Sequence, residues 1–87
     1  MKNRFTRIAL NDYIGKHVKA NPGVSRADIK ARLEFAVAAH EAGKRCSCGA
    51  EIWIIGSAEA GLSCFRCIAG ESHPSDDYEI AVSHAHA

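Results

Sequence analysis

All four cysteines of the 87-residue chain fall inside RCSCGAEIWIIGSAEAGLSCFRC, residues 45–67. They form two tight pairs, Cys46/Cys48 and Cys64/Cys67, with fifteen residues between the pairs. A thiolate is a soft ligand, a nucleophile and a redox group, so three chemistries compete: metal ligation, disulfide bonding and thiol exchange. Zn²⁺ asks for four ligands in a tetrahedron, with Zn–S near 2.3 Å, and each close pair can present two sulfurs to one point. Gly49 follows Cys48 directly and frees the backbone for the turn this needs, because glycine accepts positive φ. Cys64-Phe65-Arg66-Cys67 has the usual two-residue spacer, whereas Cys46-Ser47-Cys48 has one, a departure from the common pattern.

Two cysteine pairs separated by a hairpin-sized segment are the sequence form of a zinc ribbon. One Zn²⁺ per chain at Cys46, Cys48, Cys64 and Cys67 is therefore the leading expectation. Iron fits the same soft tetrahedral donor set. A redox Cys64/Cys67 pair is the next alternative, although the βαβ setting of thioredoxin-like motifs is missing. Structural disulfides come last, because residues 1–15 contain no apolar stretch of signal-peptide length, and paired cysteines in a reducing compartment more often bind metal. A closed four-thiolate site leaves no position for water or substrate, so the expected metal is structural and the chain non-catalytic. A segment of about forty residues rarely folds on its core alone, and zinc contributes on the order of 10–16 kcal/mol in apparent terms to such units.

The elements that must position these thiols read as follows. TRIALNDYIGKHVKANPG places Ile8, Leu10, Tyr13, Ile14, His17 and Val18 at helical spacing, and Asn21-Pro22-Gly23 ends that helix. Ser25 is a good N-cap, with Asp28 completing an approximate capping box. Ile29, Leu33, Ala36, Val37 and His40 then recur on one face, and Gly43 is the expected stop, which places a second helix near 26–42. Beyond Gly49, EIWIIG reads as a strand, SAEAG as a loop, LSCF as a second strand, GESHPSDD as a loop and YEIAV as a third strand. The expected fold is α+β: an N-terminal helical hairpin over 1–45, followed by a small three-stranded zinc-ribbon-like β unit over 46–87.

Trp53 and Phe65 read first as packing of that unit, and Trp53 second as an exposed stacking platform. Arg66 reads as a solvated charge near an anionic site, or as a phosphate contact. His17 and His40 sit on helix faces as boundary residues. His73, His84 and His86 are candidates for a second metal. GESHPSDD offers Ser and His without an organised nucleophile.

CSCGAEIWIIGS, GLSCFRCIAGE and DDYEI resemble a group of small, uncharacterised bacterial zinc-ribbon proteins with a helical N-terminal segment. That resemblance covers roughly residues 10–80. It implies zinc at Cys46, Cys48, Cys64 and Cys67 and brings no activity with it. YIGKHVKANPGVSRADIKARL is also similar to the first two helices of winged-helix DNA-binding domains. A winged helix then needs a turn and a recognition helix, but EFAVAAHEAG continues the helical phase without a break.

Net charge is +1 and the apolar fraction 47%. The charge is divided: residues 1–45 hold ten Lys/Arg against four Asp/Glu, a balance of +6, and residues 46–87 hold Arg66 against six acids, a balance of −5. The longest apolar runs are a few residues, such as Ile52–Ile55, which excludes a membrane-spanning helix. These features favour a cytoplasmic zinc-binding module that mediates protein interaction or self-association, a homodimer included. The alternatives are a nucleic-acid-binding accessory protein using Arg4, Arg7, Lys16, Lys19, Arg26, Lys30, Arg32, Lys44 and Arg45, and a thiol redox protein.

Overall fold

The computed structural model describes residues 4–75 and 77–82. Element order is β1 (Thr6–Ile8), α1 (Leu10–Ala20), α2 (Arg26–Glu41), α3 (Ile54–Ala60), α4 (Phe65–Ala69) and β2 (Tyr78–Ile80). The architecture is α+β, as the sequence implied, but the second half is mostly helical rather than a three-stranded ribbon.

The helical hairpin follows its sequence signals closely. Ser25 Oγ accepts the Asp28 backbone N–H at 3.3 Å and opens α2. At the other end Gly43 takes φ 87°, a value costly for any residue with a Cβ. Gly43 N–H then donates to His40 O and Lys44 N–H to Ala39 O, the paired bonds of a Schellman stop. Helix α2 runs unbroken to Glu41, so no separate recognition helix is carved from it.

Three expectations are corrected. Residues 6–8 belong to β1 and not to the first helix. They pair in parallel with β2, in the register Thr6↔Tyr78, Arg7↔Glu79, Ile8↔Ile80. Residues 54–60 form α3 where EIWIIG and SAEAG read as strand and loop. Their β-branched residues favour a strand locally, but the buried side of α3 meets α2, and its first amides receive a carboxylate from β2. LSCF is not a strand either: Cys64 is the N-cap of α4. Of the three expected strands, YEIAV is present, as β2 over Tyr78–Ile80, and 51 is reduced to a single antiparallel bridge with Arg45.

One core joins both halves of the chain. Ile14 from α1, Ile29, Leu33 and Ala36 from α2, Ile54 from α3 and Ile80 from β2 are buried together. Leu33, Ala36 and Ile54 are 0% exposed. Burying such a side chain is worth roughly 1.5–3 kcal/mol, so this shared cluster fixes α3 on the hairpin. The packing of helices onto the second half, which the charge division suggested, is carried by apolar contact. Among the described residues, two long polar contacts accompany it, His17 Nε2 to Glu59 and His40 Nε2 to Glu51, each at 4.0 Å with an exposed carboxylate.

Candidate metal centre

Two short segments bring the four thiols together. The first is the turn Cys46–Ala50. Cys46 N–H donates to Ala50 O at 2.9 Å, Gly49 N–H donates to Cys46 O at 2.8 Å, and Gly49 takes φ 95°. Arg45 Nη1 donates to Gly49 O and steadies the outside of the turn. This is the role the sequence assigned to Gly49. The second segment is the start of α4, where Cys64 is the N-cap and Cys67 lies in the first turn. Ile68 N–H donates to Cys64 O at 3.0 Å, and Gly70 closes the helix at φ 77°. A spacing of three residues across a helix N-terminus puts both side chains on one side.

The pairing crosses between the segments. Cys46 Sγ lies 3.6 Å from Cys67 Sγ, and Cys48 Sγ lies 3.5 Å from Cys64 Sγ. All four sulfurs fall within 4.8 Å of one another. A tetrahedron of sulfurs at 2.3 Å from its centre has edges of about 3.8 Å, so this spread matches a four-thiolate site after slight contraction. The cysteines are free thiols, with Cys46 and Cys64 buried and Cys48 and Cys67 exposed. The arrangement can hold a metal ion.

The electrostatics suit ligands. The backbone amides of Cys48, first, and Cys64 hold the Cys46 thiol down at about 6, well below an ordinary cysteine. The backbone amide of Cys67 lowers Cys64 in the same way. Cys67 moves in the opposite direction, to about 12, because its hydrogen bond to Cys46, and then those to Cys64 and Cys48, keep its proton in place. Four thiols this close cannot all ionise unless a cation shares the site, and a divalent metal supplies that charge.

Beside the cluster stands an aromatic wall. Trp53 and Phe65 meet edge to face with centroids 4.9 Å apart. Phe5 stacks on Trp53 at 5.9 Å and meets Phe65 edge-on at 5.4 Å. Phe65 directly follows Cys64, so the wall and the thiols share a backbone. Trp53 Nε1 donates to Tyr78 O at 2.9 Å. The packing reading of Trp53 and Phe65 therefore accounts for their contacts.

Glu79 escaped the sequence reading, since YEIAV placed it on the outer face of a strand. It is 4% exposed. Its Oε2 accepts Ile54 N–H at 2.8 Å, and its Oε1 accepts Ile55 N–H at 3.3 Å and Ile80 N–H at 2.8 Å. A residue of β2 thus caps α3 from across the fold. Burial raises its pKa, and the three amides and then Arg7 pull part of the way back. Phe5 was missed too, because nothing local marks a residue whose partners lie 48 and 60 positions away.

The remaining candidates do not join the cluster. Arg66 is exposed on α4. His17 and His40 are half-buried at the boundary with the second half, and His73 is exposed. His84 and His86 lie outside the described residues. Cys46, Cys48, Cys64 and Cys67 are the metal-type cluster found among the described residues. No described helix is long and apolar enough to cross a membrane.

Compared with known proteins, the chain matches no family model, no curated protein and no solved structure. The resemblance to bacterial zinc-ribbon proteins thus gains no family match, and the site rests on its own geometry.

Proposed function

We infer that this chain is a non-catalytic module built around one structural Zn²⁺, held by Cys46, Cys48, Cys64 and Cys67, and that it acts through protein interaction or self-association. The observation that carries the reading is the set of four free thiols within 4.8 Å, contributed in pairs by a glycine turn and a helix start. Such a donor set fills a tetrahedral metal completely, so the metal would tie the 46–50 turn to α4 and leave no position for a substrate. Zinc is the natural occupant because it prefers this geometry and stays redox-silent. The crossed contacts favour ligation over a Cys64/Cys67 redox couple, since Cys64 touches Cys48 at 3.5 Å and Cys67 touches Cys46 at 3.6 Å, each in the other segment.

Thiol protection tests the reading. Purified protein should react with a thiol alkylator slowly and all-or-none while metal is bound, and at four sites per chain once a strong chelator is added. Four freely alkylated cysteines before chelation would contradict it. Co²⁺ substituted for the native metal should give the intense visible bands of a tetrahedral tetrathiolate, and octahedral weak bands would count equally against it.

A further inference from the structure

Helix α2 carries two apolar stripes on opposite sides. Ile29, Leu33 and Ala36 face the core. Ala27, Ala31, Phe35 and Ala38 recur at three- and four-residue steps on the other side and are exposed. Phe35 is 66% exposed. The core stripe fully accounts for the fold, so the outer one is left over.

The outer stripe is symmetric about Ala31. Ala27 and Phe35 stand four residues to either side of it, and Ala38 prolongs the stripe one turn beyond Phe35. We propose that two copies of this chain associate through the outer face of α2, antiparallel, about a twofold axis at Ala31. This deepens the self-association reading above and rests on it. Phe35 then sits on Ala27 of the second copy and the two Ala31 residues meet on the axis, so each large residue meets a small one. In an antiparallel pair each flank meets its own counterpart. One flank carries Lys30 and Glu34, and the other Asp28 and Arg32. Each Lys30 therefore comes opposite Glu34 of the second copy, and each Asp28 opposite its Arg32, so both flanks are complementary. Lys30 and Glu34 already lie 4.0 Å apart within one helix and are more than half exposed, free to reach across.

The stripe from Ala27 to Ala38 is about 17 Å long and one helix wide. That is below the roughly 800 Å² per partner of a standard interface, so the dimer is a weak one that dissociates at micromolar concentration.

Sedimentation velocity on the metal-loaded full chain, from about 5 to about 500 μM, is the test. The wild type should pass from monomer to dimer over that range. Phe35→Glu and Lys30→Glu should each weaken association at least about tenfold while circular dichroism stays native, since both positions are exposed. The double reversal K30E/E34K restores opposite charges across the axis and should recover most of the wild-type affinity. A wild type that stays monomeric throughout overturns the proposal, as does a dimer indifferent to Phe35→Glu. So does a double reversal no better than Lys30→Glu alone. Zinc measured on the same samples separates the two readings: a monomer with one metal per chain sinks the dimer and leaves the metal centre standing.

Discussion

Glu79 ties β2 to the start of α3 by accepting the backbone amides of Ile54 and Ile55 as well as that of Ile80, and a glutamine there offers a single acceptor oxygen. Glu79→Gln leaves at least one buried N–H of α3 or β2 facing an amide NH₂, which costs about 1–3 kcal/mol. The pH dependence follows from burial. In the fold the carboxyl pKa is raised above its ordinary 4.5, so between 4.5 and the raised value the folded chain keeps a proton that the unfolded chain has lost. The contribution of that proton to stability is fully present below 4.5 and disappears as pH rises through the folded value. Chemical denaturation of wild type and Glu79→Gln at matched pH steps from 4.5 upward should show the stability gap between them narrowing as pH rises. A gap that widens would mean the native carboxylate is better stabilised than burial allows.

At the scale of elements, two helical glycines predict opposite outcomes. A Cβ at Gly15 of α1 would meet nothing within 4 Å, so Gly15→Ala should stabilise the chain by roughly 0.5–1 kcal/mol. A Cβ at Gly56 of α3 would collide with the Trp53 ring and touch Ile68 Cδ1 at 3.0 Å. Gly56→Ala should therefore destabilise by about 1–3 kcal/mol despite its better propensity. Thermal denaturation of the two variants reads both signs. The same contrast explains what was legible in the sequence. The ends of α2 were readable because Ser25, Asp28 and Gly43 act on neighbours within a few residues. The α3 segment was not, because Ile54 and Ile55 are β-formers held in a helix by Glu79 and by the α2 surface, both distant in sequence. β1 was hidden for the same reason: three residues carry no periodicity, and their partner strand begins about seventy residues later. The cysteine cluster was readable as a set because its spacing is itself the constraint, whereas the ribbon inferred around it was not needed to bring the sulfurs together.

The whole molecule divides by core rather than by charge. The shared apolar cluster draws on α1, α2, α3 and β2 and contains no residue from the 44–52 turn or from α4. Those two segments are held by the thiols and by the Phe5–Trp53–Phe65 wall. Metal removal should therefore loosen 44–52 and 64–70 first. Hydrogen exchange after strong chelation should rise at these amides while Leu33 and Ala36 stay protected. Uniform loss of protection would show that the metal supports the entire fold.

Metal content decides the central claim most directly. Elemental analysis of the purified chain, paired with native mass spectrometry, should find one zinc per chain, and Cys64→Ser should lose most of it because three thiolates leave the tetrahedron open. Well under half an equivalent of zinc in the wild type, with iron also absent, would contradict the account.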